Sequence, residues 1–304
     1  MTATSREMAA AIRPPSPNEL VVVVGPTASG KSALAMALCE RFGGELVGAD
    51  SVQIYRHFDI GSGKPTTDDR ERVPHHLVDV AEPDDPLDAA RYVALADDAM
   101  AEIRARGRVP VVCGGTFLWV KALLHGLAPS APKDPRLRAE HEAFVAAHGR
   151  PALHARLAEV DPDSAGRLAP NDFVRVSRSL EVYELTGKTQ TVWHEAHRFA
   201  EVRYRARLLG IEHPREDLDV RIARRTARWL AGGWLEEVGD LLERGYRDTR
   251  AMESVGYRQV REHLDGTLSD RELHGAIVRA TRTFVRRQRT WLRDQPVTWL
   301  PAAS

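Results

Sequence analysis

Short apolar runs alternate with stretches of helical periodicity along most of the chain. Five of these runs have strand character, and they occupy residues 20–24, 45–48, 76–80, 109–113 and 206–211. Strands that alternate with helices typically form a parallel sheet with helices on both faces. The pattern therefore predicts an α/β fold with its functional loops at the carboxyl ends of the strands.

The pattern changes between residues 128 and 200, where no strand signal appears. Three prolines open this region, and helical segments follow around 136–147, 151–159 and 172–186. We interpret residues 128–200 as a helical insertion domain that interrupts the sheet before its last strand.

The remaining residues divide into a core and a tail. The core is predicted to comprise residues 19–127 and 201–304, and its final part is helical from about residue 215 to 295. Residues 1–18 contain proline turns and no long apolar segment, so we expect a disordered tail rather than a signal peptide.

Composition narrows the class of protein. The 304 residues are enough for about two domains of ~150 residues, and the 43% hydrophobic content supports a packed core. The formal net charge is zero, so composition alone indicates no nucleic-acid partner. Cys39 and Cys113 form no CxxC pair, which argues against disulfides or zinc and favours a reducing, cytoplasmic compartment. No apolar run approaches the ~18 residues of a membrane span.

Residues 25–32 read GPTASGKS, which is the complete phosphate-loop pattern GxxxxGK[ST] between an apolar strand and a helical pattern. Gly25 and Gly30 let the backbone wrap around an anion, with N–H groups and a helix N-terminus directed at it. Lys31 brings a full positive charge, and the Ser32 hydroxyl is placed to bind Mg²⁺. The motif predicts a sheet like that of the phosphate-loop NTPases but does not identify the phosphate compound.

Two further strand ends carry candidate chemistry. Asp50 follows the second strand, where it can accept a proton from an acceptor group or simply cap a turn, and position alone does not decide. Lys64 lies in a glycine-containing loop, 59–65, that either brings a second cation to the phosphates or is solvated. After the fourth strand, Gly114 and Gly115 permit close approach of a substrate, and Thr116 offers a hydroxyl.

A basic stripe follows near the end of the chain. Five arginines with spacings of 3, 4, 3 and 4 fall on one helical face: Arg279, Arg282, Arg286, Arg289 and Arg293. Residues predicted to pack on the opposite face are Ile277, Thr281, Phe284, Gln288 and Trp291. The stripe suits RNA phosphates, and the alternative is a solvated face with local ion pairs. Four tryptophans outside this helix, Trp193, Trp229, Trp234 and Trp299, are predicted to be packing residues.

Seven collinear stretches cover nearly the whole chain after residue 20: GPTASGKS (25–32), ADSVQIYRHFDIGSGKPT (49–66), PHHLVDV (74–80), GGTFLWVKALLHGL (114–127), NDFVRVSRSLEVYELTGK (171–188), ESVGYRQV (253–260) and RQRTWLR (287–293). Together they resemble the tRNA dimethylallyltransferase family, also called tRNA isopentenyltransferases. The resemblance implies transfer of a dimethylallyl group from dimethylallyl diphosphate to the exocyclic amine of the adenine 3′-adjacent to the anticodon, giving N6-dimethylallyladenosine. Members from eukaryotes carry a C-terminal zinc finger that this chain lacks, which fits the bacterial form.

The resemblance also implies roles for individual residues. The catalytic residues are Asp50 as the general base, Thr116 beside the reacting groups and Lys31. The diphosphate is expected to contact Gly25, Thr27, Ala28, Ser29, Gly30, Lys31, Ser32, Arg225 and Arg221, with Mg²⁺ as cofactor at Ser32.

The tRNA anticodon loop is the expected macromolecular partner, and no feature indicates a membrane or an obligatory protein partner. Its expected contacts are Asp50, Ser51, Val52, Gln53, Thr116, Arg138, Val174, Arg175, Ser177, Arg178, Ser254, Gly256, Tyr257, Arg258, Arg282 and Arg286. Of these, Tyr257 is predicted to stack on a base.

Two other functions share some of these features. A small-molecule or nucleotide kinase also has a phosphate loop and an Asp after the second strand, but it would bind ATP tightly and close an arginine-rich lid on it. An Asp-containing ATPase motif on an apolar strand is missing here. A non-catalytic RNA-binding protein is the second alternative, and the intact Lys31, Ser32 and Asp50 argue against it.

Overall fold

The computed structural model describes residues 3–128 and 131–302. The chain divides into two compact units, one formed by Met1–Leu124 with Arg203–Ser304 and the other by His125–Val202. The predicted insertion, 128–200, falls within the second unit. Within the described ranges, no helix is both long enough and apolar enough to cross a membrane.

The first unit contains a sheet of six described strands, all parallel to their neighbours, in the order β3-β2-β4-β1-β5-β6. The strands are β1 (Glu19–Val24), β2 (Gly44–Gly48), β3 (His75–His76), β4 (Val109–Gly114), β5 (Arg205–Glu212) and β6 (Val297–Pro301). The helices of this unit are α1 (Ala3–Ala11), α2 (Lys31–Phe42), α3 (Thr67–Arg72), α4 (Ala89–Ala105), α5 (Phe117–His125), α11 (Arg215–Leu230), α12 (Trp234–Glu243), α13 (Tyr257–Leu264) and α14 (Asp270–Arg293). The predicted α/β class with a parallel sheet is confirmed.

Apolar residues cover both faces of the sheet, which explains the unbroken valine run of β1. Leu20, Val22 and Val24 pack into one cluster, whereas Val21 and Val23 pack into another on the opposite face. Successive side chains of a strand point to opposite faces, so a strand buried on both sides reads as a continuous apolar run.

Two strands differ from the sequence prediction. The run predicted at 76–80 pairs only at His75 and His76, because Leu77 and Asp79 adopt positive φ angles of 60° and 59° and leave the strand. Strand β6 was missed because its five residues begin shortly after α14 ends at Arg293 and show no clear alternation. Its Trp299 is 40% exposed, so the prediction of a packing residue is wrong for much of this side chain, although its ring covers Gly210.

The predicted disordered tail is wrong for residues 3–11, which form helix α1. Ala9 and the following Ile12 are buried against α2, and the Arg41 guanidinium donates to the carbonyl oxygens of both residues. Arg13 then pairs with Glu19 at 2.9 Å, at the start of β1. The helix buries mainly small residues, so its apolar pattern is too weak to read in the sequence.

The second unit is helical throughout its described secondary structure. Its helices are α6 (Pro135–His148), α7 (Arg150–Val160), α8 (Pro162–Arg167), α9 (Phe173–Thr186) and α10 (Gln190–His197). Leu153, Leu157, Val176 and Leu180 form its core. Helices α8 and α10 were not predicted, because each is short and is stabilised by a polar contact. The Asp161 carboxylate accepts hydrogen bonds from the backbone and hydroxyl of Thr191 at 3.1 and 2.6 Å.

Candidate active site

The phosphate loop connects β1 to α2 at the carboxyl edge of the sheet. Gly30 has a φ of +85° and immediately precedes α2, which begins at Lys31. Ala28 also has a positive φ, 67°. These conformations direct the loop around a concave space at the N-terminus of the helix, where backbone N–H groups favour an anion.

Side chains from distant parts of the sequence fix this loop. Arg221 Nε donates to the carbonyl oxygen of Ala28 at 2.8 Å, and His213 Nε2 lies 2.8 Å from that of Ser29. The Arg225 guanidinium donates to Thr27 Oγ1, also at 2.8 Å. These contacts fix the loop through its carbonyl and hydroxyl oxygens, and they bring both predicted arginines of α11 beside it.

The charges at the loop are largely removed from water. Burial lowers the pKa of the Lys31 ammonium, and the Asp50 carboxylate partly opposes that shift. Burial also lowers the pKa of Arg225 to about 10, helped by the positive charge of Arg228, so Arg225 stays protonated at neutral pH. Its guanidinium lies 4.4 Å from the centre of the Trp229 ring, a cation–π contact.

Two buried donors near the loop have no hydrogen-bond partner among the described residues. They are the Ser29 hydroxyl and Arg225 Nε. Buried polar atoms are nearly always paired in folded proteins, so these two atoms leave hydrogen-bonding capacity unused beside the phosphate loop.

Of the two roles that its position left open, the structure shows Asp50 in that of a turn cap. Its Oδ1 accepts hydrogen bonds from the backbone N–H groups of Val52 at 2.9 Å and Gln53 at 3.3 Å, so it caps a turn. Asp50 also lines a cavity together with Lys31 and Thr116. One carboxylate oxygen is therefore structural, and the second has no hydrogen bond to a described residue.

Thr116 supports the same turn from the neighbouring strand. Its Oγ1 accepts from the Ser51 backbone N–H at 3.0 Å and donates to the Ser51 hydroxyl at 3.2 Å. The close approach of the two strand ends depends on Gly114, since a Cβ there would lie 2.0 Å from the carbonyl oxygen of Ala49. Thr116 is thus held beside Asp50 by the packing of β2 on β4.

The loop 59–65 is held by the amide of Gln53, whose Nε2 donates to the carbonyl oxygens of Ser62 and Gly63 at 3.0 Å each. Lys64 in this loop pairs with Asp59 at 2.6 Å and also with Asp79. Two carboxylates neutralise the Lys64 ammonium, so it does not act as a free second cation beside the phosphate loop.

Two adjoining cavities open at this edge of the sheet. The first, of about 690 Å³, surrounds the phosphate loop and is lined by Arg224 and Arg228 as well as the predicted arginines. The second has a volume of about 450 Å³. Residues that line both are Thr27, Lys31, Asp50, Ser62, Arg225 and Trp229. The second cavity has apolar walls formed by Val52, Trp234, Val255, Ile277 and Phe284. A cationic compartment therefore adjoins an apolar one, with Asp50 where they meet.

The segment 254–258 contributes less than predicted. Ser254 lines the second cavity. Tyr257, however, is 0% exposed, and its hydroxyl donates to Glu237 at 2.6 Å, so the prediction that it stacks on a base is wrong. Gly256 packs against Trp234, whose ring would lie 2.3 Å from a Cβ at that position. Arg258 is exposed and lies 3.7 Å from Glu262.

All five arginines of the stripe are exposed on α14. Arg282 pairs with Asp219 of α11 at 3.0 Å, so one member has the local ion pair of the alternative interpretation. Phe284 was predicted to pack, which is wrong: it is 39% exposed and lines the second cavity. At ~100° per residue, Arg282 and Arg286 each lie about 200° from Phe284 around the helix, so the stripe faces away from that cavity.

In the second unit, the predicted tRNA contacts have mixed surroundings. Ser177 is buried and lies 2.9 Å from His141 Nδ1, so the prediction that its side chain contacts tRNA is wrong for this structure. Glu181, also buried, pairs with Arg178 at 2.6 Å and lies 3.9 Å from Arg138.

At the start of α9, two predicted contacts remain on the surface. Val174 is 68% exposed, an unusual position for an apolar side chain. The exposed Arg175 beside it pairs with Asp172, which caps the same helix.

Sequence reasoning missed several residues that line the second cavity, among them Arg250, Arg287 and Gln288. Arg287 lies beside the predicted stripe but on a different face of α14, and a spacing of 3 and 4 does not select it. Gln288 was predicted to lie on the packing face of the helix, but no pattern in the sequence indicates what it contacts there. Trp229 was expected only to pack, whereas it lines both cavities.

Known proteins are similar to this chain in sequence and in architecture. A family model described as "IPP transferase" matches residues 53–295, and one described as "Isopentenyl transferase" matches residues 18–81. A protein of Sorangium cellulosum (strain So ce56) named tRNA dimethylallyltransferase is 65% identical over 289 residues, which are 95% of this chain and 92% of that protein.

Solved structures agree with these matches. The tRNA isopentenylpyrophosphate transferase of Bacillus halodurans has a TM-score of 0.69 and 36% identity, covering 93% of this chain and 90% of that one. A eukaryotic dimethylallyltransferase described as acting on tRNA has a TM-score of 0.78 and 25% identity, covering 94% of this chain and 74% of that one.

Proposed function

This chain belongs to the tRNA dimethylallyltransferase family, and on that basis we propose that it transfers the dimethylallyl group of dimethylallyl diphosphate to tRNA. The acceptor is the exocyclic amine of the adenine 3′-adjacent to the anticodon, and the product is N6-dimethylallyladenosine. The observation that carries the proposal is the meeting of the cationic phosphate-loop cavity and the apolar cavity at the carboxylate of Asp50.

The phosphate-loop compartment suits the leaving group. Breaking the allylic C–O bond leaves negative charge on diphosphate, and fixed donors that face this charge lower the barrier. Lys31, Arg225 and the backbone N–H groups at the start of α2 supply such donors, and Arg221 holds the loop in place. Because Lys31 and Arg225 are poorly hydrated, their interaction with the departing charge is stronger than at a surface.

We infer that Mg²⁺ accompanies the diphosphate, from the donors around the loop. Ser32 lies in the cavity of the phosphate loop, and the described residues contain no cluster of three or more His, Cys, Asp or Glu side chains. Mg²⁺ accepts such a site, since it takes most ligands from phosphate oxygens and water. The Ser32 hydroxyl would hold the ion, which when bound adds positive charge beside the diphosphate.

Asp50 is the group that we assign to the accepting amine. An exocyclic amine is a poor nucleophile, and a carboxylate that takes its proton as the new bond forms assists the attack. The turn contacts occupy Oδ1, and we assign this task to Oδ2. Thr116 fixes the turn through Ser51, and the apolar wall formed by Ile277 and Phe284 receives the dimethylallyl chain and excludes water.

The tRNA must present an adenine that is normally stacked, so the base leaves the anticodon loop to enter the second cavity. Exposed cations at the cavity, Arg250 and Arg287, are placed to receive the adjoining phosphates. The arginine stripe extends the cationic surface to the far side of α14 for more distant phosphates. We place this activity in the cytoplasm, in keeping with two buried free thiols, Cys39 and Cys113.

Incubation with unmodified tRNA, dimethylallyl diphosphate and Mg²⁺, followed by mass spectrometry of the nucleosides, tests the proposal. The expected product is N6-dimethylallyladenosine at the position after the anticodon, with one diphosphate released per modified base. Formation of ADP from ATP without modified tRNA would instead support a kinase. Binding of tRNA with no diphosphate release would support a non-catalytic RNA-binding protein.

A further inference from the structure

Gln288 joins the two halves of the candidate site through a single side-chain amide. Its Oε1 accepts a hydrogen bond from the backbone N–H of Thr27 at 2.9 Å, within the phosphate loop. Its Nε2 donates to the carbonyl oxygen of Gly115 at 3.1 Å, directly before Thr116. Gln288 is 4% exposed, and its bond to Gly115 is buried, whereas its bond to Thr27 is partly buried.

The surroundings leave the amide little freedom. A Cβ on Gly115 would lie 2.7 Å from Gln288 Nε2, so the backbone approaches the amide as closely as glycine permits. The same Cβ position is 3.8 Å from Cε of Lys31. The amide is therefore packed between the loop that holds the leaving group and the turn that supports Asp50, next to the principal cation of the loop.

We propose that Gln288 is a positioning residue that sets the spacing between the phosphate loop and the Gly115–Thr116 turn. This inference rests on the transfer reaction proposed above. The reaction requires the departing diphosphate and the accepting amine to be held at reacting distance on opposite sides of the dimethylallyl carbon. Gln288 lines the second cavity, but its amide oxygen and nitrogen both bind backbone groups, so the side chain ties the backbone of one half to that of the other. A displacement of about 1 Å in such a site can cost about 10²-fold in rate.

The donor and acceptor order of the amide gives a distinctive test. Gln288→Met keeps a similar volume and loses both bonds. Gln288→Glu keeps the acceptor for Thr27 N–H, and a protonated carboxylic acid also supplies the donor for Gly115. Activity of the Glu variant relative to wild type should therefore rise as pH falls from 8 to 5.5, whereas that of the Met variant should stay flat.

The matched control is Gln259→Met. Gln259 is also a buried glutamine, but its carbonyl accepts from Gly256 N–H at 2.8 Å and caps its own helix, α13. Both Met variants should lower the unfolding temperature, because each loses hydrogen bonding by a buried side chain. Only Gln288→Met should slow the transfer step at saturating concentrations of both substrates.

The experiment combines calorimetric binding of inorganic diphosphate with single-turnover transfer at saturating tRNA and dimethylallyl diphosphate. For Gln288→Met we expect diphosphate binding weakened about tenfold and transfer slowed about 10²-fold, with tRNA affinity within threefold of wild type. Gly115→Ala should produce losses of the same kind, because its methyl group displaces the amide.

Three results would overturn the inference. The first is diphosphate binding by Gln288→Met as tight as that of wild type. The second is an equal loss of diphosphate affinity and transfer rate in Gln259→Met. The third is a Gln288→Glu variant whose activity relative to wild type does not change with pH. A wild-type protein without transfer activity would refute the proposed function instead, and the diphosphate comparison would still decide the role of Gln288.

Discussion

Thr116 Oγ1 accepts a hydrogen bond from the backbone N–H of Ser51 at 3.0 Å, which fixes the residue after Asp50 to the end of β4. The contact joins residues 65 positions apart in the sequence. It gives Thr116 a positioning role that requires no direct contact with the reacting atoms.

Thr116→Val removes this contact while keeping the branched shape of the side chain. We expect transfer to slow about tenfold or more, because the turn that aims Asp50 loses its anchor. Thr116→Ser keeps the hydroxyl and should stay within about threefold of wild type. Single-turnover rates of the two variants decide the matter, and equal rates would show that the hydroxyl is dispensable.

Lys31→Ala should reduce turnover by about 10³-fold or more, because it removes the principal charge beside the departing diphosphate. The affinity for tRNA should survive, since the exposed arginines that we assign to the tRNA phosphates, Arg250 and Arg287 among them, are unchanged. Parallel measurements of turnover and of tRNA binding by filter retention check this. Loss of tRNA affinity with preserved turnover would contradict the assignment of Lys31 to the diphosphate.

The arginine stripe can be tested with the double variant Arg286→Gln, Arg289→Gln. If each arginine contacts one phosphate, the negative slope of log affinity against log salt concentration should become shallower by about one unit per lost contact. Turnover at saturating tRNA should hardly change, because these side chains face away from the cavity.

A control of equal charge is Arg6→Gln, Arg108→Gln. Arg6 and Arg108 are exposed, and Arg108 precedes β4 at the edge of the sheet opposite to the site. This control should keep the wild-type salt dependence. An unchanged slope in the stripe variant would show that the stripe is only a solvated face.

Glu237 provides a pH-dependent test of the loop 59–65. It accepts a hydrogen bond from the Ile60 N–H at 2.7 Å, and burial raises the pKa of its carboxyl above the ordinary value of 4.5. A carboxyl with a raised folded pKa stabilises the protein most at low pH, and this contribution is lost as pH rises through that pKa. The unfolding free energy of wild type relative to Glu237→Gln should therefore decline from pH 4.5 to 7.

Urea unfolding at several pH values measures this difference. Glu236→Gln is the control, because Glu236 is the exposed neighbour on the same helix and should give no such trend. A difference between wild type and Glu237→Gln that stays constant across the range would show that burial does not govern Glu237.

The sequence predicted the parts of the site that depend on local patterns. The phosphate loop follows from residues 25–32, and the position of Asp50 follows from the end of a strand. Contacts between distant segments were not predictable, because no local pattern records them: Gln288 and Thr27 are 261 positions apart. Tyr257 and Phe284 were assigned the wrong environments, since helical spacing gives a face but not what lies against it.

Asp50→Asn tests the central claim most directly. Asparagine caps a turn about as well as aspartate, so the variant keeps the turn and loses only the base. Asp88→Asn is the matched control, since Asp88 caps α4 by accepting from Ala90 and Arg91 N–H.

The measurement is the single-turnover rate of N6-dimethylallyladenosine formation in tRNA, with both substrates saturating. Wild type and Asp88→Asn should form the product at similar rates, and Asp50→Asn should be slower by about 10²-fold or more with little change in substrate affinity. An Asp50→Asn rate within a few-fold of wild type, or no modified adenine with the wild-type protein, would contradict the account.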